Sequence, residues 1–143
     1  MIRKILVING PNLNMLGIRE PGIYGRETFA ELQEKIRQKA EELGIEAVQF
    51  QSNSEGDIVT RIQQALGQED AIVINPGAYT HTSIAILDAL RAVKLPAAEV
   101  HLSDISKREP FRQISYAGMA CEKHYIGMGT EGYLRAMEDL VKG

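Results

Sequence analysis

The chain has 143 residues, a charged fraction of 24% and a formal net charge of −3, and this length predicts one domain over residues 1–143. No basic stripe is available to neutralise phosphates, so we expect no nucleic-acid partner. No apolar run approaches the roughly 18 residues that a membrane-spanning helix needs, so we expect no membrane association. Cys121 is the only cysteine, which leaves no internal disulfide and makes the cytoplasm the default location.

Short apolar runs predict the strands of a parallel sheet. Residues 5–8, 71–74 and 97–102 are short apolar runs, and the first two are uninterrupted, which is typical of strands covered on both faces. Residues 46–51 alternate between apolar and polar side chains, which favours an edge strand. Residues 124–127 are a weaker fifth candidate.

Apolar residues at steps of three and four predict helices between these strands, at 29–43, 58–66, 84–93 and 132–141. The alternation predicts an α/β fold: a doubly wound, five-stranded parallel sheet with helices on both faces. The helix at 84–93 is apolar around nearly its whole circumference, which indicates contacts between subunits. Asp88 is the lone acid in it, and a surface ion pair with Arg91 is an equally good interpretation.

Polar side chains gather just past the predicted strands. Ligands of open parallel sheets bind outside the carboxyl ends of the strands, and here those ends carry residues 9–14, residues 75–82 and residues 101–104, followed by Arg108 and Arg112. Amides, histidines and arginines therefore converge on one edge of the sheet. The pattern predicts a site for a small, anionic, hydrogen-bonding ligand.

The segment 17–25 is long for a turn between a strand and a helix and carries Arg19 and Tyr24 together. A closing loop is one interpretation and a plain surface loop is the other. A guanidinium beside a phenol favours the phenolate, so the pair could form a base that works when water is excluded. An ordinary half-buried tyrosine remains the alternative.

The three histidines call for different interpretations. Glu99 lies two residues before His101 on the same strand face and could orient its ring for proton transfer, or form a purely structural hydrogen bond. His81 lies near the start of a predicted helix, where an anion site and a helix-capping role are both open. We interpret His124 as a surface histidine on an edge strand.

The sequence gives little support to dinucleotide binding, metal binding, a thiol nucleophile or a Schiff base. The glycines at 127, 129 and 132 match GxGxxG, but too little chain follows for a dinucleotide fold, so tight packing is the better interpretation. The histidines are far apart in sequence and no CxxC is present, so we expect no metal. Cys121 lacks a base partner in the sequence, and no lysine follows a central strand for a Schiff base.

Blocks in fixed order along the chain closely resemble the type II 3-dehydroquinate dehydratases. They are Asn9-Gly10-Pro11-Asn12-Leu13-Asn14-Met15-Leu16-Gly17, Arg19-Glu20-Pro21, Tyr24-Gly25, Gln51-Ser52-Asn53-Ser54-Glu55-Gly56, Asn75-Pro76-Gly77-Ala78-Tyr79-Thr80-His81-Thr82-Ser83, Glu99-Val100-His101-Leu102-Ser103, Arg108-Glu109, Phe111-Arg112 and Gly127, Gly129, Gly132-Tyr133-Leu134.

The resemblance implies a flavodoxin-like fold, a homododecamer built as a tetramer of trimers, and a lyase of the shikimate pathway of aromatic amino-acid biosynthesis. Such an enzyme turns 3-dehydroquinate into 3-dehydroshikimate through an enolate, without cofactor or metal. The implied roles are a base (Tyr24), its activator (Arg19), a water-holding amide (Asn12), a general acid with its carboxylate (His101, Glu99), carboxylate binding (Asn75, Leu102, Ser103), hydroxyl binding (His81, Arg112) and a residue from a neighbouring subunit (Asp88).

The chain departs from the family pattern in two places. Asp104 and Ser106 stand where the family has asparagine and then histidine or tyrosine, and Asp104 is expected to bring negative charge near the substrate carboxylate. Residues 119–124 are more polar than the family's last strand, which puts that strand or its subunit contacts in doubt. The alternative to the enzyme is a non-catalytic binding module on the same fold, although Asn9 and Asn12 replace the acids that a phosphorylated receiver domain would need.

Overall fold

The computed structural model describes residues 1–18, 22 and 26–143. Its five strands form one parallel sheet in the order β2-β1-β3-β4-β5. Their bounds are Lys4–Asn9 (β1), Glu46–Gln51 (β2), Ala71–Asn75 (β3), Ala97–His101 (β4) and Lys123–Ile126 (β5). The predicted parallel sheet is confirmed, and β2 is an edge strand as its alternating pattern predicted.

The helices between the strands are Phe29–Leu43 (α1), Glu55–Gln64 (α2), Ile84–Val93 (α3) and Glu131–Lys142 (α4). Local sequence determines their ends. Thr28 and Glu31 form a reciprocal capping box at the start of α1, and Gly44 ends that helix in a left-handed conformation. Ser54 and Ser83 cap α2 and α3 through their side chains.

Two apolar layers cover the two faces of the sheet. Ile5, Val7 and Val73 face α1 and α4, which contribute Leu32, Ile36 and Met137 among others. Leu6, Ile8 and Ile74 face the other way, toward α2 and α3. Successive residues of the central strands thus bury opposite faces, which is why their sequences are uninterrupted apolar runs. The prediction of helices on both faces is confirmed.

Helix α3 is buried on one side and bare on the other. Ile86, Leu87 and Leu90 are buried, whereas Ile84 is 54% exposed and Asp88 is also exposed. The surface pair of Asp88 with Arg91 is wrong: no ion pair joins them in the part of the chain that the structure describes. Within that part, no helix combines the length and apolarity needed to cross a membrane.

The polar segment 119–124 does not disrupt the last strand. Residues Ala117–Ala120 form a short 3-10 turn, Cys121 is buried beside it, and β5 then pairs with β4 over four residues. The doubt about the strand is therefore resolved in favour of a regular edge strand.

Candidate active site

The carboxyl ends of β1, β3 and β4 surround an open cleft of about 690 Å³. Seven of its lining residues are sequence-predicted: Asn12, Asn75, His81, His101, Leu102, Ser103 and Arg112. The remaining lining residues include Arg108, and the described part of the lining contains no acid. A cleft with two arginines and several amide and imidazole groups suits an anionic ligand that carries hydroxyl groups.

Glu99 and His101 form a buried pair at the end of β4. Nε2 of His101 lies 2.9 Å from Oε2 of Glu99, and both residues are buried. They are two residues apart on one strand, so their side chains share a face of the sheet. The predicted contact between the carboxylate and the imidazole is confirmed, and its part in proton transfer stays a prediction. Since Nε2 donates to Glu99, Nδ1 is the nitrogen left to exchange a proton.

Glu99 has two further partners that the sequence did not reveal. Ser115 donates from Oγ to Oε2 of Glu99 at 2.5 Å, and His124 contacts Oε1 through Nδ1. The prediction that His124 is an exposed histidine on an edge strand is confirmed, and its ring also contacts the buried carboxylate of Glu99. His124 lies directly opposite Glu99 in the β4–β5 register, which only the structure shows.

Hydrogen bonds determine the ionisation of Glu99. Burial acts to raise the pKa of the Glu99 carboxyl, but the hydrogen bonds from His101, Ser115 and His124 together outweigh it and lower the pKa to about 2. The carboxylate is therefore charged throughout the physiological range.

Asn75 is held by a buried tyrosine. Its Nδ2 donates to the hydroxyl of Tyr133 at 2.9 Å, and Tyr133 in turn donates to Oδ1 of Asn9 at 2.5 Å. Oδ1 of Asn75 accepts from the backbone N–H of Gly77 at 3.1 Å. Asn75 thus reaches the cleft in a determined amide orientation. Tyr133 was part of the family motif, but no signal in the sequence assigned it this contact.

His81 lies in the cleft wall but does not cap a helix. Its Nδ1 contacts the carbonyl oxygen of Ile114 at 2.8 Å, whereas the cap of α3 is Ser83, so the capping alternative is wrong. Burial lowers the pKa of the His81 ring, and the positive charges of Arg112 and Arg108 act in the same direction. His81 is thereby favoured in its neutral form, which can both donate and accept hydrogen bonds.

Arg108 is a cleft residue that was not among the predicted site residues, although the sequence placed it after β4. Its Nη1 donates to Oγ of Ser103 at 3.2 Å. Arg112 pairs with Glu109 at 2.9 Å and lies over the Phe111 ring. Both guanidinium groups are therefore positioned by neighbouring residues before a ligand arrives.

The loop after β1 is held against the loop after β3. A side chain at Gly10 would overlap the carbonyl oxygen of Pro76, so the two loops can approach this closely only with glycine there. Asn12 adopts a left-handed conformation with φ 70°, and its backbone N–H donates to Oδ1 of Asn53 at 3.1 Å. This packing brings Asn12 to the cleft.

Some predicted site residues are not brought together within the described chain. Arg19 and Tyr24 lie outside the described residues. Asp88 is on α3 and does not line the cleft. Asp104 does not line it either: its carboxylate accepts hydrogen bonds from the N–H and hydroxyl of Ser106. The expectation that Asp104 brings negative charge to the cleft is therefore wrong, because its carboxylate binds Ser106, which also departs from the family pattern.

Other chemistries find little support in this geometry. Among the described residues, no group of three metal-ligating side chains comes together. Burial raises the pKa of the Cys121 thiol to about 12, which keeps it protonated. A side chain at Gly132 would press on Val100 and Tyr125, so the packing interpretation of that glycine is confirmed.

The comparisons with known proteins agree with the motifs. The family model described as dehydroquinase class II matches residues 3–141. The chain belongs to this family. It is 52% identical over 139 residues to a 3-dehydroquinate dehydratase of Lachnoclostridium phytofermentans, with 96% of each chain covered. It is 53% identical over 140 residues to one of Clostridium perfringens, with 97% of this chain and 96% of that protein covered.

A solved structure of a type II dehydroquinase, from Butyrivibrio crossotus, superposes with a TM-score of 0.96 at 47% identity, with 99% of each chain covered. The sheet order 2-1-3-4-5 found here is the flavodoxin-like order. The cleft described above lies at the carboxyl ends of the strands, where ligands of open parallel sheets bind.

Proposed function

We infer that the protein is a 3-dehydroquinate dehydratase, a hydro-lyase that converts 3-dehydroquinate to 3-dehydroshikimate in the shikimate pathway. The observation that carries this function is the buried Glu99–His101 pair at one end of a cleft that also holds Arg108 and Arg112. An acid catalyst therefore stands beside a pocket suited to a carboxylate substrate. The alternative, a non-catalytic module, has no comparable observation in its favour.

The substrate carboxylate binds where amides and backbone donors meet, at Asn75, Leu102 and Ser103. Support comes from the hydrogen bonds of Asn75 to Tyr133 and Gly77, which leave one N–H of its amide for a ligand. His81 and Arg112 take the ring hydroxyls: Nδ1–H of neutral His81 donates to the carbonyl of Ile114, so Nε2 accepts from a hydroxyl, whereas Arg112 donates.

The reaction begins with loss of a proton beside the ketone. Tyr24, as phenolate, takes that proton and leaves an enolate, and Arg19 favours the phenolate by its positive charge. Asn12 holds a water at the enolate oxygen. Arg19 and Tyr24 are assigned these roles from the family motif, because they lie outside the described residues.

The second step expels the hydroxyl group. The enolate reforms the ketone and a carbon–carbon double bond as the carbon–oxygen bond breaks, and His101 gives its Nδ1 proton to the departing oxygen, forming water. Glu99 stabilises the protonated ring before this transfer. Tyr24 ends with one proton gained and His101 with one lost, so a transfer through solvent restores both groups.

The protein assembles as a homododecamer, a tetramer of trimers, in which Asp88 reaches the cleft of a neighbouring subunit. Apolar side chains on α3 and on the turn that packs against it remain exposed, namely Ile84 and Met119. Light scattering on the purified protein tests the assembly. A monomer at micromolar concentration that still turns over substrate would contradict both the assembly and the role of Asp88. We expect the enzyme in the cytoplasm.

The test of function is a continuous assay of 3-dehydroquinate turnover, following the ultraviolet absorbance of the conjugated enone product. The wild type and Tyr24→Phe are run side by side, each with and without EDTA. We expect wild-type turnover in both buffers and none for Tyr24→Phe, with unchanged circular dichroism. No product from wild type at micromolar enzyme would refute the function, and activity in Tyr24→Phe would remove Tyr24 as the base.

A further inference from the structure

Glu99 carries one histidine on each carboxylate oxygen. Oε2 contacts Nε2 of His101 at 2.9 Å, and Oε1 contacts Nδ1 of His124. The glutamate is 2% exposed, whereas the side chain of His124 is 44% exposed. A buried carboxylate therefore links a ring that lines the cleft to a ring that is open to solvent on the outer edge of the sheet.

The backbone brings this bridge about. Glu99 and His124 are direct partners in the register of β4 and β5, so their side chains lie on the same face of the sheet. Gly118 leaves the space for the carboxylate, because a Cβ there would lie 2.5 Å from Oε1 of Glu99. The contact is thus a built part of the fold.

One carboxylate can fully offset only one positive charge. With His124 neutral, Nδ1–H donates to Glu99 and the whole negative charge remains available to stabilise protonated His101. With His124 protonated, the second positive charge shares the same carboxylate and disfavours the second proton on His101. We propose that His124 is a positioning residue that couples the protonation of His101, through Glu99, to the pH of the solvent.

Few other charges face His124. Glu99 and, beyond it, His101 face it from β4, and Ser115 joins from the preceding loop without a charge. The 117–120 turn has no ionisable side chain. Helix α4 covers the opposite face of β5, where Asp139 accepts from Tyr125.

The charged side chains of α3 and of the residue before β5 lie at exposed positions. Asp88 and Arg91 are exposed on α3, and Glu122 is exposed just before β5. Cys121 is buried and held in its thiol form. Within the described chain, Glu99 is therefore the charge that His124 meets directly.

The experiment follows the three histidines by NMR in the assembled enzyme labelled with ¹³Cε1-histidine. His124→Asn keeps a neutral donor near Glu99 but cannot ionise, and His124→Val removes the donor as well. Lys123→Gln is the matched control, because it removes a positive charge one residue away whose side chain points to the other face of the sheet.

In both His124 variants we expect His101 to take up its second proton at a higher pH, by roughly 0.5–1 unit, the effect of removing one partly screened like charge. Lys123→Gln should leave it unchanged. The proposal would be overturned if the pH midpoint of His101 did not change in the His124 variants, or if it changed equally in Lys123→Gln. A shift in His124→Val without one in His124→Asn would overturn it too, since a hydrogen bond alone would then explain the effect.

The kinetic consequence rests on the proposed function, in which His101 is the general acid. The alkaline limb of the kcat profile should move upward with the NMR midpoint in both His124 variants. Absence of turnover in the wild type would defeat the proposed function, yet the NMR result would still decide the coupling, so the two failures are distinguishable.

Discussion

Nδ2 of Asn75 donates a hydrogen bond of 2.9 Å to the hydroxyl of Tyr133, which lies 58 residues further along the chain. The same hydroxyl donates to Asn9, so one buried phenol orients amides at the ends of β1 and β3. Burial raises the pKa of the Tyr133 phenol, which keeps its proton in place for this network.

Tyr133→Phe should therefore weaken both folding and substrate binding. It removes the hydroxyl that pairs with Nδ2 of Asn75 and Oδ1 of Asn9, two buried polar atoms, at a cost of about 1–3 kcal/mol in the free energy of unfolding. Because Asn75 loses its orientation, we expect KM to rise more than kcat falls. Urea unfolding and steady-state kinetics measure the two effects.

Tyr125→Phe is the control for that variant. Tyr125 is buried in the same apolar layer but donates to Asp139 at 2.6 Å, away from the cleft. It should lose stability with KM unchanged. A normal KM in Tyr133→Phe would show that Asn75 does not need the phenol.

Glu99→Gln should lower kcat by about 100-fold or more, the usual contribution of a positioned proton donor, since the amide cannot stabilise protonated His101. KM should change little, because Glu99 does not line the cleft. Ser115→Ala removes one donor to the carboxylate and should give a smaller loss in kcat. Stopped or continuous assays at saturating substrate measure both.

Glu69→Gln is the control for Glu99→Gln, because it changes a buried glutamate that is not part of the proposed site. Glu69 is also a buried glutamate, but it pairs with Arg61 at 3.0 Å. Its substitution should lower the unfolding free energy and leave kcat unchanged per folded molecule. If Glu99→Gln retained wild-type kcat, the contact between Glu99 and His101 would have a structural role only.

Acid should destabilise the fold in two stages. The pKa of Glu99 is lowered from 4.5 to about 2 in the folded protein, which corresponds to about 3 kcal/mol that is present above pH 4.5 and lost as the pH falls toward 2. The lowered pKa of His81 adds a loss that begins as the pH falls below 6.5, because the unfolded ring binds the proton more readily.

Urea unfolding between pH 7 and pH 2.5 measures this dependence. Glu99→Gln should be less stable than the wild type at pH 7, and its unfolding free energy should depend less on pH below pH 4.5. An identical acid slope in the variant and the wild type would mean that Glu99 is not stabilised as the carboxylate.

Gly10→Ala should displace the loops that build the cleft. The added methyl group would overlap the carbonyl of Pro76, and relieving such overlap costs about 1–3 kcal/mol. We expect a lower melting temperature together with a lower kcat/KM, measured by calorimetry and assay.

Gly56→Ala tests whether that effect is specific. Gly56 is in α2, and the nearest atom to an added Cβ is 3.8 Å away. Alanine there should be neutral or stabilising by about 0.4–1 kcal/mol. Equal losses in both variants would indicate a general response to added methyl groups.

Much of this protein is determined by local sequence. Uninterrupted apolar runs placed β1 and β3 because both faces of a central parallel strand are buried, and capping residues placed the helix ends because orphan backbone groups need partners. The same logic placed His101 and Asn75 at one edge of the sheet, since the carboxyl ends of parallel strands meet there.

Only the tertiary structure decided which side chains touch. Tyr133 reaches Asn75 across two elements, and His124 and Ser115 meet Glu99 from 25 and 16 residues away. Such contacts depend on strand register and on close packing at Gly118, which no local pattern encodes. A histidine that reads as solvated in the sequence therefore becomes a partner of a buried carboxylate once β5 pairs with β4.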